Sequence, residues 1–291
     1  MKKLILILLA LCPLAAFAQG GSEALPFVRT DLGPVMTGTA GAAVASPETG
    51  AWGAFRSAAA MSMSDGYFNA GVEARVNGTF PGAGAAVSVK PIGNLTIAAG
   101  AMYQSGDVIG DFRTSDMIVS AGASYGITES LSVGVNARLA KQNLAAGIAY
   151  SAFSTDFSVL DKLSDAIFAT VGVSALGGKV TSASGTAYSQ PGNAFAGMEF
   201  RVDALDGVIN ADAMAEYYFS GAYAAAIGAG FTYQETVSIK IGVRYASKWC
   251  VLPTLLSAGV GYNVGGISLN ATYIRQSSIN IATLGVGYKF Q

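Results

Sequence analysis

The stretch Val237-Ser238-Ile239-Lys240-Ile241-Gly242-Val243-Arg244-Tyr245 alternates without a break. Successive side chains of a β-strand point to opposite faces, so Val237, Ile239, Ile241, Val243 and Tyr245 share one face and Ser238, Lys240, Gly242 and Arg244 the other. Leu131, Val133, Val135, Ala137 and Leu139 alternate in the same way with Ser132, Gly134, Asn136, Arg138 and Ala140. Phe68, Ala70, Val72, Ala74 and Val76 do so with Asn69, Gly71, Glu73, Arg75 and Asn77. A strand with one apolar and one polar face, repeated along most of a chain, suits a wall with lipid on one side and a polar lumen on the other.

Composition points the same way. Hydrophobic residues make up 52% and charged residues 12%, about half the ~25% charge of ordinary soluble domains. Beyond the first residues there is no apolar run long enough for a spanning helix, which needs about 20 residues. A closed barrel is the remaining way to satisfy every backbone group in lipid. The formal net charge of −1 argues against a nucleic-acid partner, which needs a basic face, and the chain has no histidine. That absence removes the commonest general base and metal ligand, so the reading is of a non-enzyme without cofactor or metal.

The start of the chain reads as an export signal. Met1-Lys2-Lys3 is basic, Leu4 to Leu14 apolar, and Ala16-Phe17-Ala18 a small-x-small cleavage site, which predicts a signal peptide over 1–18 and a mature chain from Gln19. Cys12 leaves with it and Cys250 remains alone, so no intrachain disulfide is expected. Period-two segments then give strands near 67–78, 82–90, 94–104, 115–126, 131–142, 145–159, 165–177, 193–203, 206–217, 222–234, 236–247, 254–263, 266–275 and 279–290. The fold class is therefore all-β: a transmembrane antiparallel β-barrel of about 14 strands over 67–291.

Tight turns fall at alternate junctions, such as Thr128-Glu129-Ser130 and Asn263-Val264-Gly265-Gly266. With a periplasmic C-terminus these are periplasmic turns, and 105–114, 178–192 and 247–254 are extracellular loops. Tyr103, Tyr125, Tyr217, Tyr223, Tyr233, Tyr245, Tyr262, Tyr273 and Tyr288 fall near strand ends as interfacial girdles. Two places break parity, between Ala152 and Phe153 and between Ile281 and Leu284, as a bulge or a wholly apolar patch would. Glycines such as Gly134, Gly228, Gly230, Gly242, Gly259, Gly261, Gly285 and Gly287 face inward, leaving room for something inside the barrel. The segment 19–66 lacks alternation and is assigned as an N-terminal plug or periplasmic lid. Trp52 within it reads as an interfacial anchor ahead of a contact for a hydrophobic ligand.

Within that segment Phe27-Val28-Arg29, then Thr37-Gly38-Thr39-Ala40-Gly41-Ala42-Ala43-Val44-Ala45-Ser46-Pro47-Glu48, then Phe55-Arg56-Ser57-Ala58 follow in order. This order resembles the PorV/PorQ family of outer-membrane barrels, related in architecture to the fatty-acid transporter FadL. Arg56-Ser57 stands where that family prefers Asn-Pro. Further on, Thr155-Asp156-Phe157, Leu252-Pro253 and Ser257-Ala258-Gly259-Val260-Gly261 extend the resemblance over most of the mature chain. The resemblance implies a fourteen-stranded barrel in the outer membrane of a Gram-negative bacterium, in the Bacteroidetes. It also implies service in type IX secretion or surface display, with secretion-system proteins or cargo C-terminal domains as partners beside outer-membrane lipid.

Strand parity places Glu73, Arg75, Lys90, Arg138, Asp156, Glu199, Arg201, Asp212, Glu216, Lys240, Arg244 and Lys289 in the lumen. Both signs are present, so the row reads as a salt-bridged interior bracing the barrel and its plug ahead of a polar substrate path. Asp212 and Glu216 share an inward row without the paired environment that acid–base hydrolysis needs. Three roles follow as expectations. The first is a protein-interaction component of secretion, the second a FadL-like channel for hydrophobic molecules, and the third a structural barrel without transport. Charges crossing the lumen argue against passage of a hydrophobic chain, which would leave them unpaired.

Overall fold

The computed structural model describes residues 23–78, 80–181, 185–277 and 279–290; the expected signal peptide over 1–18 lies outside them. The strands in chain order are β1 Phe68–Asn77, β2 Phe80–Ile92, β3 Leu95–Ile109, β4 Phe112–Gly126, β5 Leu131–Ala145, β6 Ile148–Ser164, β7 Ile167–Gly177, β8 Val180–Thr181, β9 Ala187–Tyr188, β10 Asn193–Ala204, β11 Gly207–Tyr218, β12 Tyr223–Tyr233, β13 Val237–Ala246, β14 Leu255–Val264, β15 Ile267–Gln276 and β16 Ile279–Phe290. Fourteen of them close into an antiparallel barrel in which β10 follows β7 and β1 meets β16, while β8 and β9 form a separate two-stranded sheet. The closing seam runs without register shift from Phe68↔Phe290 to Asn77↔Ile281. Ring closure is what allows so much apolar surface to face lipid, because no strand edge is left unpaired.

Period two decides which residues do so. Ile239, Ile241, Val243 and Tyr245 are exposed on the outside while Ser238, Lys240 and Arg244 are buried. The tyrosines of the expected girdles are all exposed. One end of the barrel carries only short turns and both barrel termini; the other carries the 178–192 and 247–254 connections. By this asymmetry the first end is periplasmic and the second extracellular.

The structure corrects three readings of the sequence. Residues 105–114 are mostly strand, not loop: β3 and β4 continue to Ile109 and Phe112 through an irregularity between Ser105 and Val108. That irregularity, with the polar run Gln104-Ser105-Gly106-Asp107, is what hid the hairpin from a parity count. β6 likewise runs to Ser164, past the expected end at 159. The parity breaks are apolar patches, not bulges. Ala152 and Ile281 are inward and buried against the filling of the lumen, Phe153 and Leu284 are outward and exposed, and no register shift occurs at either place.

A true irregularity lies on the other side of β6, where the β6–β7 register shifts between Thr155 and Phe157. There Ala175 takes φ 53°, a left-handed conformation rare for a residue with a side chain. Its N–H donates to Asp156 Oδ1 at 2.7 Å, and Ser174 Oγ donates to the same oxygen at 2.8 Å. One carboxylate thus holds the kink in β7.

A barrel closed in this way resists detergent until heated. Samples extracted without boiling should therefore migrate differently on a denaturing gel from boiled ones; a single mobility under both conditions would count against ring closure.

Candidate functional site

Residues 24–64 lie inside the ring and touch strands around nearly all of it. Ala24 N–H donates to Ser189 O at 2.8 Å in the extracellular 178–192 connection. Asp65 lies 3.6 Å from Lys289 at the periplasmic mouth. Between these ends the chain descends the lumen through the short helical turns Pro26–Arg29, Pro34–Gly38, Pro47–Phe55 and Ala59–Met63. It fits because the wall is bare where it passes. A side chain at Gly134 would collide with the backbone of Ala58 and Ala59, and one at Gly242 with the backbone of Thr39 and Ala40.

Ion pairs fasten this filling in the extracellular half. Arg29 donates to Glu216, and to Ser174 Oγ at 2.6 Å. Arg56 Nη2 lies 2.8 Å from Glu216 Oε1 and its Nε 3.7 Å from Asp31 Oδ1. Its N–H groups lack hydrogen-bonding geometry toward these acceptors, so the contact is Coulombic. Arg244 Nη1 donates to Asp31 Oδ2 at 2.5 Å, Arg75 Nη1 to Asp31 O at 3.1 Å, and Tyr218 Oη to Glu216 Oε2 at 2.9 Å. Arg138 pairs with Asp156 and also donates to Val28 O at 2.8 Å and Ser174 Oγ at 2.9 Å. Glu73 is buried beside Arg75.

The remaining charged positions form smaller groups nearer the periplasm. Arg201 bonds Glu199 at 2.7 Å, reaches Glu48 at 3.4 Å, and stacks 5.7 Å above the Phe168 ring. Asp212 accepts from Asn210 Nδ2 at 2.9 Å and is not joined to Glu216. Lys240 Nζ reaches Ser238 Oγ at 3.4 Å, and Lys90 Nζ donates to Ser64 O. So the structure gathers Arg75, Arg138, Asp156, Glu216 and Arg244 into one network, Glu199 and Arg201 into another, and leaves Asp212, Lys90 and Lys240 outside both.

Sequence reasoning missed Arg29, Asp31, Arg56, Ser174 and Tyr218. The first three sit in a segment without periodicity, where nothing in the order of residues says which strand they meet. Trp52 is not an interfacial anchor. It is 8% exposed inside the barrel, 6.1 Å from the Phe55 ring and over Gly71 and Gly84.

At the extracellular mouth a cavity of about 300 Å³ is lined by Glu23, Ala24, Gln142, Leu144, Tyr150, Val180 and Tyr188. Burial pushes the Glu23 carboxyl above its ordinary value, against the opposing pull of Ser220 and Arg29. Val180, part of its lining, belongs to an apolar cluster with Leu25, Phe27, Val28, Leu32, Trp52 and Phe55 of the filling and Ala86, Met102, Ile118, Ala140 and Ala152 of the wall.

No family model matches the chain, and no curated protein does. Solved structures do. The likeness to the CymD monoaromatic hydrocarbon channel has a TM-score of 0.68 at 12% identity, covering 89% of this chain and 98% of that one. The Pseudomonas putida toluene transporter TodX gives 0.69 at 14%, covering 89% and 99%. A Pseudomonas aeruginosa FadL homologue gives 0.63 at 10%, covering 89% and 98%. The fold is that of these FadL-type outer-membrane barrels. Nothing in these likenesses points to PorV or PorQ, to secretion partners or to a Bacteroidetes source.

Proposed function

We infer that this barrel passes small hydrophobic molecules across the outer membrane from its extracellular mouth. The observation that carries this reading is the cavity at Leu144, Tyr150, Val180 and Tyr188, whose Val180 also packs in the apolar cluster with Leu25, Phe27 and Trp52. Pockets for small apolar ligands combine such a lining with a few polar groups, here Glu23 and Gln142. The objection from the charged interior weakens, because Arg138, Arg244 and Glu216 hold partners on the filling or the wall and do not face an open conduit. CymD, a monoaromatic hydrocarbon channel, and TodX, a toluene transporter, share the fold, which supports the substrate class by analogy of scaffold alone.

Uptake of toluene as probe should be measured in cells with the wild-type barrel, with none, and with Leu144→Arg plus Tyr150→Ala. The double variant places a charge in the apolar entrance and is expected to cut the barrel-dependent rate about tenfold, the effect of ~1.4 kcal/mol. Equal uptake with and without the barrel would reject the reading. If surface proteins bearing C-terminal sorting domains were then retained in the periplasm, the secretion role would replace it.

A further inference from the structure

From Thr236 to Gln291 the sequence contains no Asp or Glu, yet it carries Lys240, Arg244, Lys248, Arg275 and Lys289. Three of these are accounted for inside. Lys240 is buried in the lumen, Arg244 pairs with Asp31, and Lys289 faces Asp65. Lys248 and Arg275 are exposed at the extracellular end, and neither pairs with a carboxylate among the described residues.

Arg275 ends the lipid-facing row of β15 after Ile267, Leu269, Ala271 and Tyr273. An arginine on the lipid face is costly at mid-membrane and cheap only near the interface, so its place at the strand end fixes its height at the headgroups. It is also oriented. Arg275 Nη1 donates to Asn280 Oδ1 at 2.6 Å, and Tyr273 Oη donates to the same oxygen at 2.8 Å. Among the described residues, most of its five guanidinium N–H donors stay open. Two strands away, Lys248 Nζ lies 5.0 Å from the Trp249 ring, which is 80% exposed, and Tyr223 and Tyr245 pack at 6.2 Å just below. Aromatic side chains with an apolar body and a polar tip suit this boundary.

We propose that the extracellular rim of β13–β15 docks the phosphorylated headgroup of an outer-leaflet glycolipid, with Arg275 and Lys248 on its phosphates and Trp249, Tyr245 and Tyr223 along its sugar–acyl boundary. The charge of the rim is complementary to that partner, while the periplasmic turns carry the opposite sign in Glu129, Asp165, Asp203, Asp206 and Glu235. β13 and β15 flank β14, so their centres are roughly 10 Å apart, a spacing that a disaccharide phosphorylated at both ends can bridge. Guanidinium and phosphate meet through charge-assisted, bidentate hydrogen bonds, and lysine supplies a point charge.

The full-length barrel in detergent should be titrated with diphosphoryl lipid A and with its dephosphorylated form. Wild type is expected to prefer the diphosphoryl form about tenfold, with a preference that shrinks as salt rises. The Lys248→Gln plus Arg275→Gln variant, its folding verified by heat-modifiable migration, should lose that preference, and restoring Arg275 alone should recover part of it. Equal binding of both lipids by wild type, or an unchanged preference in the double variant, would overturn the proposal. Neither outcome bears on toluene uptake, so this idea and the channel reading fail separately.

Discussion

Arg138→Met is expected to destabilise the seating of the N-terminal segment by about 3–5 kcal/mol, the usual consequence of leaving one member of a buried ion pair alone. Arg138 is 1% exposed and Asp156 2%, so neither has water to fall back on. The arginine also holds Val28 O and Ser174 Oγ, and Asp156 holds the β7 kink through Ala175 N–H. Its removal therefore strands a carboxylate and releases the filling and the wall together. Adding Asp156→Asn should recover part of the loss, because an amide oxygen can still accept from Ala175 without the buried charge. Trp52 sits in the filling and the second tryptophan, Trp249, in an exposed loop. Denaturant titration followed by Trp52 fluorescence in a Trp249→Phe background thus reports the segment apart from the barrel. An unchanged midpoint in Arg138→Met would show that the pair does not hold it.

Excision of residues 24–64 is expected to turn the barrel into an open ion conduit. Eight strands close around little more than their own side chains, whereas barrels of 16–18 leave a water channel; fourteen fall between, and here the inward row is rich in glycine. With the filling gone, Glu73, Arg75, Glu216 and Arg244 would line water. In planar bilayers the excised form should conduct in large, steady steps while the parent stays near baseline. The excised barrel should keep its heat-modifiable migration, since the ladders of β1 to β16 do not involve the missing residues. Equal conductance of both forms would mean that the intact segment does not block ions.

Much of the architecture could be read from alternation alone. A period of two survives in sequence because lipid and lumen impose opposite chemistry on neighbouring residues, so strand number and the inward placement of Arg138, Glu216 and Arg244 followed from counting. Alternation fades at Gln104-Ser105-Gly106-Asp107, where a polar run coincides with the irregular β3–β4 register between Ser105 and Val108. It also says nothing of partners. That Glu216 meets Arg29 and Arg56, or that Asp156 bends β7, depends on contacts between residues far apart in the chain. The ordered boxes at Phe27, Gly38 to Glu48 and Phe55 mark a segment that packs inside a barrel; the fold they accompany is shared with hydrocarbon channels.

The path of the N-terminal segment bears on how the molecule is made. Ala24 is fixed near the outer mouth and Asp65 near the inner one, with β1 following directly. A chain hydrogen-bonded and ion-paired to many strands of the wall would have to strip and rebuild all those contacts to be threaded into a finished ring. Wrapping the wall around it while the sheet is still open avoids that cost, and the pairing of Phe68–Asn77 with β16 would then be the closing step of biogenesis. An insertion machine that releases the sheet before this segment is seated would yield a sealed but empty cylinder.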